Sequence, residues 1–426
     1  MDGVDLTVLA VAVLGYAVVS GRLRGSVITP AMVFVGVGLA VGGNGLGWID
    51  VEFSIGAIQA LTTATLTLVL FTDALRIDVP ALRQEIDLPR RLLGVGLPLT
   101  ILAGTGAALV LFDGMGLWPA AVLATVLAPT DAALGQAVVT DPSLPSRIRQ
   151  GLNVESGLND GLCVPLLAIF LTLAESEEGL QRGEALRVVV EEIGGGLLGG
   201  LVAGAVAALL LREARRRGWI DASWHAIALV AVPAGAYGLA VVLHGSGFIA
   251  AFVAGLVFGR ATGRATGRAE LPTDLADELG ELLGALTFVV FGAVALGPVL
   301  GDLTWAVVAY ALLSLTVVRM VPVAVSLVGT HPRPVTVGFV GWFGPRGLAS
   351  IVFALDLVAE SGLEEVPLIV TVVGLTVALS VLLHGLSAAP AAVRYGQWYA
   401  SHPRPADLME AQPATEVRPR GPRRRG

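Results

Sequence analysis

The chain of 426 residues is poor in charge and has a single cysteine. Only 14% of its residues are charged, whereas soluble domains carry about 25%. The lone Cys163 excludes an internal disulfide and a metal site built from several cysteines. Acidic residues outnumber basic ones by 34 to 27, so the basic field that drives nucleic-acid binding is absent. We therefore expect no nucleic-acid partner.

Apolar residues, in contrast, make up 55% of the chain, and the mean hydropathy is +0.79. Inside a lipid bilayer a segment must satisfy its own backbone polar groups, so long apolar runs are expected to be helices. A crossing needs about 20 residues. We predict an all-α, multi-pass membrane protein with about thirteen transmembrane segments, at 5–20, 27–43, 55–73, 92–112, 117–140, 148–173, 188–211, 223–243, 246–259, 275–297, 304–328, 335–359 and 366–387.

The distribution of arginine predicts the orientation of the chain. The sequence has no lysine, and its arginines concentrate in the loops that follow odd-numbered segments. Basic residues are enriched in cytoplasmic loops. This predicts an external N-terminus and a cytoplasmic C-terminus in a bacterial-type plasma membrane. We predict a transmembrane domain over residues 1–390 and a disordered, Pro- and Arg-rich cytoplasmic tail over 391–426.

The segment at 148–173 contains a polar stretch, GLNVESGLNDG, that is costly to place in hydrocarbon. An intramembrane carboxylate costs roughly 2.5–3.5 kcal/mol on insertion scales. Residues four apart share one face of a helix, so Glu155 stacks with Asn159 and Ser156 stacks with Asp160. We expect each buried carboxylate to have a charged partner, a bound cation or a proton.

Two other segments contain helix breakers near the middle of the span. In ATVLAPTDAALGQ, Pro129 precedes Thr130 and Asp131, and in GWFGPRGLAS, glycines and Pro345 surround Arg346. Interrupted segments in corresponding halves of a chain predict an ion site formed by inverted repeats. The alternative for the first break is a simple proline kink with Asp131 neutralised by an arginine. We expect Arg346 to face opposed helix C-terminal ends or a carboxylate. A purely structural, charge-neutralising role is the alternative to a role in ion handling.

Another arginine, Arg319, lies in the middle of the segment LLSLTVVRMVPVAV. Because a guanidinium effectively never deprotonates, it must be paired, and Glu155 and Asp131 are the candidates. The histidines are scattered toward segment ends and loops, which is typical of interfacial residues and not of a metal centre. They are His225, His244, His331, His384 and His402.

Taken together, the PTD of the first break, the ES-x-x-ND stretch and the GPRG break resemble motifs of the monovalent cation:proton antiporters of family 1. The likeness is to the NhaP-like members, which are related to animal sodium/proton exchangers, and it covers about residues 5–390. It implies thirteen helices, inverted repeats with two discontinuous crossing helices, and a homodimer. It also implies a core subdomain that moves against a dimerisation subdomain.

The resemblance assigns an alkali-cation site. Asp160 resembles the ion-binding aspartate of the family, and Thr130, Asp131 and Ser156 resemble its co-ligands. One departure is that many relatives have a proline after the aspartate, whereas here the proline precedes Asp131. A second TDP, at 140–142, is expected at the membrane interface, so the motif is aligned on Thr130 and Asp131.

The resemblance also assigns supporting residues. Glu155 and Arg319 resemble a structural ion pair beside the site, and Arg346 resembles the neutralising arginine of the second broken helix. Asn159 matches an asparagine of the family, which places it among the residues that bind the cation and the proton. Electrogenic relatives have an aspartate at this position, so Asn159 predicts electroneutral exchange.

The expected function is secondary active exchange of a monovalent cation, first of all Na⁺, for H⁺ across the plasma membrane in pH homeostasis. The mechanism implied is one-for-one, alternating-access and elevator-like. K⁺/H⁺ exchange by the same fold is the alternative, followed by a cation channel, although charge rings or filter carbonyls are not evident. An enzyme is not expected, since Ser156 has no base at hand. No cofactor is expected beyond the transported H⁺ and Na⁺, K⁺ or Li⁺.

Overall fold

The computed structural model describes residues 3–23, 25–43, 45–47, 55–77, 87–177, 182–262, 273–402 and 408–411. Within these ranges the chain forms helices and no strands. The helices in chain order are α1 (Gly3–Leu23), α2 (Pro30–Val41), α3 (Ile55–Leu75), α4 (Asp87–Leu111), α5 (Leu117–Val126), α6 (Gln136–Thr140), α7 (Ser146–Glu177), α8 (Arg182–Arg216), α9 (Ala222–Val242), α10 (Gly247–Ala261), α11 (Asp274–Gly301), α12 (Trp305–Ser326, interrupted at Thr316), α13 (Pro334–Trp342), α14 (Leu348–Glu360) and α15 (Val366–Ser401).

Each of the thirteen predicted segments coincides with one of these helices, except that the fifth and the twelfth are each divided into two. Among the described residues, nine helices are long and apolar enough to cross a membrane. Shorter apolar helices occur at Pro30–Val41, Leu117–Val126, Gly247–Ala261 and Leu348–Ala359. The predicted all-α class with two discontinuous helices is confirmed.

Several helices begin at a polar residue whose side chain accepts a hydrogen bond from the first helical turn. These N-caps are Thr29, Asp221, Ser246 and Thr304. A helix start leaves backbone N–H groups without helical partners, and an N-cap oxygen satisfies one of them. The chain therefore marks the start of α2, α9, α10 and α12 by local chemistry, independently of the apolar pattern.

The chain forms two compact units, and the first comprises residues 1–62, 88–156 and 283–414. In this unit α2 packs closely against the second half of α11. A Cβ atom placed on Gly38 would overlap the carbonyl oxygen of Val289, and one on Gly42 would lie 2.5 Å from Ala293 O. Small residues let helix backbones approach in this way, which is a typical device of membrane helices.

The second unit comprises residues 63–87, 157–282 and 415–426. Here α8 packs against α9 and α10. A Cβ atom on Gly200 would lie 2.6 Å from Ala250 O, and one on Gly204 would lie 2.8 Å from Ala254 O. Gly200 and Gly204 are four residues apart and therefore share one face of α8. The absence of side chains at these two positions lets the backbone of α10 approach α8 closely.

The predicted domain boundary at 390 falls inside a helix, because α15 continues to Ser401. Tyr395 is buried, stacks on Phe339 at a centroid distance of 4.3 Å, and shares a 2.8 Å hydrogen bond with Thr336. This apolar face explains why residues 391–401 fold although they were predicted to be part of a disordered tail. The remainder of the predicted tail lies outside the described residues at 403–407 and 412–426.

A short helical turn, Met409–Ala411, also departs from the tail prediction. Met409 and Glu410 are each only 2% exposed. Met409 joins a hydrophobic cluster of the first unit that includes Leu327 and Tyr395. Glu410 accepts a hydrogen bond from Arg333 N at 3.4 Å through its carboxylate and one from Tyr399 Oη at 3.1 Å through its carbonyl. Hydrophobic burial and these two bonds hold the segment against the membrane domain.

Candidate functional site

The first discontinuous helix breaks between α5 and α6, over residues 127–135. Pro129 lies in this break and cannot donate a backbone hydrogen bond. Asp131, which follows it, accepts a hydrogen bond from Ala133 N at 2.8 Å and another from Leu348 N at 3.1 Å. Its own N–H donates to Pro345 O at 2.8 Å. Asp131 is therefore held by amide groups, one of them at the start of α14.

The second discontinuous helix breaks between α13 and α14, over residues 343–347. Arg346 lies in this break and is fully buried. Its Nη1 donates to Ala128 O at 2.7 Å and to Pro129 O at 3.1 Å. Ser350 Oγ donates to Val126 O at 2.7 Å. The C-terminal end of α5 carries partial negative charge and unsatisfied carbonyls. Arg346 offsets the charge, and both side chains donate hydrogen bonds to the carbonyls.

The glycines of GPRG make the contact between the two breaks possible. A Cβ atom on Gly347 would overlap Asp131 Oδ2. A Cβ atom on Gly344 would overlap Arg319 Nε and lie 2.9 Å from Arg319 Cζ. The two glycines therefore leave space for the carboxylate of Asp131 and for the guanidinium of Arg319, respectively.

Helix α7 carries the polar stretch, and its first part contacts both the break and α12. Thr130 Oγ1 and Ser156 Oγ share a hydrogen bond of 2.9 Å. Glu155 receives two hydrogen bonds from Arg319, at 2.5 and 2.8 Å. All four of these side chains are buried. The structure thus brings Thr130, Ser156, Glu155 and Arg319 together within the first unit.

Asn159 and Asp160 follow on the same helix, in the second unit. Asn159 is 1% exposed and Asp160 is 7% exposed. Ser156 and Asp160 are four residues apart, so they share one face of α7. An aspartate so buried in an apolar helix is costly unless it is protonated or holds a cation or charged partner.

Another buried carboxylate, Asp73 on α3, was not singled out from the sequence. It is 6% exposed, and a Cβ atom on Gly157 would lie 3.6 Å from Asp73 Cβ. Gly157 and Asp160 are three residues apart and share a face of α7, so Asp73 approaches α7 on the side that carries Asp160. The available signal was an aspartate near the end of the apolar run TLVLFTDAL.

His384 also departs from the sequence prediction. It was placed among interfacial histidines, but it is fully buried and hydrogen-bonded beside the second break. The prediction was wrong because α15 continues well beyond the expected end of its apolar segment, which places position 384 near the middle of the helix.

The oxygen atoms that the first unit brings to the first break are hard ligands: the hydroxyls of Thr130 and Ser156 and the carboxylate of Asp131. Such oxygen donors suit alkali and alkaline-earth cations better than transition metals. Within the described ranges, no group of three or more His, Cys, Asp or Glu side chains is arranged to hold a metal ion.

Comparison with known proteins identifies the family of the chain. A model of the transmembrane sodium/hydrogen exchanger family matches residues 9–394. The K(+)/H(+) antiporter NhaP of Alkalimonas amylolytica is 25% identical over 92% of this chain and 67% of its own length. The Na(+)/H(+) antiporter NhaS2 of a Synechocystis strain is 28% identical, over 36% of this chain and only 31% of its own length.

A solved structure gives the same fold. The sodium proton antiporter MjNhaP1 from Methanocaldococcus jannaschii, at pH 8, has a TM-score of 0.74 and 19% identity, and the match covers 92% of this chain and 98% of MjNhaP1. The family resemblance drawn from the PTD, ES-x-x-ND and GPRG motifs is confirmed. With a family match across nearly its whole length, the chain belongs to the sodium/hydrogen exchanger family.

Proposed function

We propose that this protein exchanges Na⁺ for H⁺ across a membrane, and that Asp160 binds the two ions in turn. The supporting observation is that Asp160 is buried one helical turn beyond Ser156, whose hydroxyl lies 2.9 Å from Thr130 in the first break. A carboxylate beside hydroxyl groups offers the oxygen ligands that an alkali cation prefers.

A shared carboxylate couples the two ion fluxes. A bound proton neutralises Asp160 and a bound Na⁺ pairs with its charge, so the two ions exclude one another. The empty, ionised aspartate is the costly state in a low-dielectric interior. When only the loaded states change access from one side to the other, one ion cannot move without the counter-movement of the other. This is alternating access in an elevator-like form.

The other oxygen ligands have separate roles. Thr130 and Ser156 supply neutral oxygens, and Asn159 supplies a carbonyl oxygen on the same helix. Each carboxylate oxygen of Asp131 accepts one amide hydrogen bond. Since a carboxylate oxygen has further acceptor capacity, Asp131 can contribute to a cation while it holds the two breaks together.

Asp73 is proposed as an additional carboxylate of the site. It approaches α7 at Gly157, on the face that carries Asp160. A second negative charge near Asp160 strengthens cation binding and, when the cation leaves, favours uptake of the proton.

Two arginines balance the remaining charge. The positive charge of Arg319 neutralises Glu155 through both carboxylate oxygens, whereas the donors to Asp131 are neutral amides. Glu155 therefore offers no net charge to a transported cation. Arg346 donates hydrogen bonds to the carbonyls of Ala128 and Pro129, just beyond the end of α5. We therefore propose that Glu155, Arg319 and Arg346 hold the site in place and do not themselves bind transported ions.

The stoichiometry proposed is one cation for one proton. The residue beside Asp160 is the neutral Asn159, so α7 offers one exchanging carboxylate at this position. Exchange by the wild type should then be insensitive to an imposed membrane potential. A clear dependence of the initial exchange rate on voltage in proteoliposomes would contradict the electroneutral proposal.

K⁺ is the second candidate cation. One relative that aligns with 92% of this chain is itself a K(+)/H(+) antiporter. Oxygen ligands serve Na⁺, K⁺ and Li⁺ alike, and the size of the cavity selects among them. The preferred cation can be identified by adding Na⁺, K⁺ and Li⁺ in turn to proteoliposomes with the same imposed pH gradient. The preferred ion should dissipate the gradient fastest.

The setting proposed is a homodimer in a bacterial-type plasma membrane, with the N-terminus outside and the C-terminus inside. The arginine-rich loops after odd-numbered segments support this orientation. Labelling of a cysteine introduced at position 402, in a Cys163→Ser background, by an impermeant reagent tests it. Labelling in intact cells would reverse the orientation, and a monomer mass in native mass spectrometry would contradict the dimer.

The decisive experiment is Asp160→Asn in proteoliposomes with a pH gradient. The variant should fold and insert normally but show no cation-driven proton movement. Asp356→Asn is the matched control, because Asp356 is a half-buried aspartate on another apolar helix. Exchange by Asp160→Asn at the wild-type rate would overturn the assignment of Asp160. Ion current without coupled pH change in the wild type would instead indicate a channel.

A further inference from the structure

Ser380 and His384 lie one turn apart on α15 and are both fully buried. They face the second break from outside the two discontinuous helices. Arg346 N donates to Ser380 Oγ at 2.7 Å, Ser380 Oγ lies 3.1 Å from His384 Nδ1, and His384 Nε2 lies 3.0 Å from Trp342 O. These hydrogen bonds run from one side of the break to the other.

Donor and acceptor capacity determines how the hydrogens are arranged. Two carbonyls that can only accept lie near the ring, Trp342 O at 3.0 Å from Nε2 and Ser380 O at 3.2 Å from Nδ1. A hydrogen bond from His384 to α13 requires the hydrogen on Nε2, the nitrogen with the shorter carbonyl contact. Nδ1 then accepts, and the hydroxyl of Ser380 is the nearby donor for it. Ser380 Oγ keeps a lone pair for the N–H of Arg346. Trp342 O also accepts from Gly344 N at 2.9 Å, within the two lone pairs of a carbonyl.

The pair spans the break because its two partners lie on opposite sides of it. Trp342 is the last residue of α13, and Arg346 is two residues before α14. The ring of Trp342 also stacks on His384, with a centroid distance of 4.8 Å and an angle of 29°. Its Nε1 donates to Ser387 Oγ, farther along α15, at 2.9 Å. A continuous helix thereby sets the separation between the two ends of an irregular segment.

We propose that Ser380 and His384 are positioning residues for the ion site, and this rests on the exchange function proposed above. By fixing Trp342 and Arg346 relative to α15, they direct the guanidinium of Arg346 toward the carbonyls of Ala128 and Pro129. The same constraint holds the Leu348 amide against Asp131. The hydrogen-bond chain thus acts on the first break, which carries Thr130 and Asp131, without itself contacting an ion.

The first test does not depend on transport. Ser380→Ala, His384→Leu and the double variant form a cycle in which thermal unfolding is measured in detergent. Because both residues serve one chain of hydrogen bonds, the double variant should lose less stability than the sum of the single losses. Thr376→Ala is the control partner for His384→Leu. Thr376 is buried on the same helix but bonds only to Val372 O in the contacts seen, and its effect should add. Additive losses of stability for Ser380→Ala and His384→Leu would show that the two residues do not act through one chain of hydrogen bonds.

The second test separates positioning from a merely structural role. Loss of active protein lowers the maximal exchange rate and leaves the apparent KM for Na⁺ unchanged. Displacement of the first break weakens ion binding, so His384→Leu and Ser380→Ala should each raise the apparent KM about five- to tenfold, as expected for one lost buried hydrogen bond. His384→Gln retains an N–H that reaches the Trp342 carbonyl, and Ser380→Thr retains the hydroxyl. Both should restore the KM to within about twofold of wild type.

These outcomes distinguish this proposal from the exchange function. A wild type without exchange refutes the proposed function, and the unfolding cycle still decides whether the hydrogen-bond chain exists. An unchanged KM in all variants of an active exchanger refutes positioning alone. Should His384→Leu fail to insert, the comparison of Ser380→Ala with Ser380→Thr gives the same decision.

Discussion

Arg319 and Glu155 form a bidentate ion pair, with Nη1 to Oε1 at 2.5 Å and Nη2 to Oε2 at 2.8 Å. Both side chains are almost completely buried. Parallel guanidinium–carboxylate bonds are the strongest arrangement of these groups, and burial makes the loss of one partner costly. The pair joins α7 to α12 one residue before Ser156, so it fixes where the polar stretch of α7 begins.

Removing one member of this pair should be more harmful than removing both. Arg319→Met leaves the Glu155 charge buried without its partner and should cost roughly 3–5 kcal/mol. The double variant Glu155→Leu with Arg319→Met replaces both charges by apolar side chains and should recover most of that loss. Thermal unfolding of the purified protein in detergent measures both effects.

The control for this prediction is an exposed ion pair. Glu213 pairs with Arg217 at 2.6 Å and with Arg216 at 3.2 Å, at the end of α8. Because these charges are largely in solvent, Glu213→Gln should change stability by less than about 1 kcal/mol. The prediction fails if Arg319→Met and Glu213→Gln unfold at the same temperature.

A single methyl group in the second break should disrupt the site. Gly347→Ala places a Cβ atom on Asp131 Oδ2, so the carboxylate must move away from the Leu348 amide. We expect correctly inserted protein with an exchange rate reduced at least about tenfold, the equivalent of roughly 1.4 kcal/mol.

Gly338→Ala is the matched control for that substitution. Gly338 lies on α13, and a Cβ atom there has no neighbour within 4 Å among the described residues. Alanine is also a better helix former than glycine, so exchange should be unchanged and stability slightly increased. Equal activity of Gly338→Ala and Gly347→Ala would show that the contact between the two breaks is not needed.

Asp73→Asn should weaken cation binding without unfolding the protein. The substitution removes one charge on the side of α7 that carries Asp160 but keeps the size of the side chain. We expect the apparent KM for Na⁺ to rise about tenfold, the equivalent of roughly 1.4 kcal/mol. Asp302→Asn, at an exposed position after α11, is the control. Identical cation titrations for the two variants would remove Asp73 from the site.

Met409 should contribute to stability although it lies in the C-terminal segment. It is buried in a cluster with Leu327 and Tyr395. Deleting a buried methionine side chain costs roughly 2–5 kcal/mol in well-packed cores, so Met409→Ala should lower the unfolding temperature clearly. Leu408→Ala, at the half-buried neighbouring position, should have a smaller effect. Wild-type stability of Met409→Ala would indicate that the segment is not docked in solution.

The sequence was sufficient to predict the helices and both breaks. Long apolar runs are a strong signal for membrane helices, and Pro129 and Pro345 interrupt otherwise apolar segments. It also narrowed the partner of Arg319 to two carboxylates, since a buried guanidinium requires one. The helices and the breaks are local features of the sequence. The partner of Arg319 could be narrowed because the apolar segments contain few carboxylates with which it can pair.

The sequence predicted that Arg346 faces helix C-terminal ends or a carboxylate, but it could not identify the individual partner atoms. They are main-chain carbonyls of Ala128 and Pro129, and such groups occur at every position of the sequence. Only the crossing of the two breaks decides which carbonyls are within reach. Asp73 and His384 were missed for a related reason. His384 was expected toward a segment end and Asp73 was not considered, whereas the burial of each depends on the helices that pack around it.

The docking of Glu410 beside Arg333 has a practical consequence for handling the protein. Arg333 immediately precedes α13, the first half of a discontinuous helix. Truncation after residue 402 would remove the hydrogen bond from Arg333 N to Glu410 and the buried side chain of Met409. An affinity tag appended after 411 leaves both intact. Shortened versions made to aid crystallisation would therefore report altered behaviour that belongs to the truncation and not to the native exchanger.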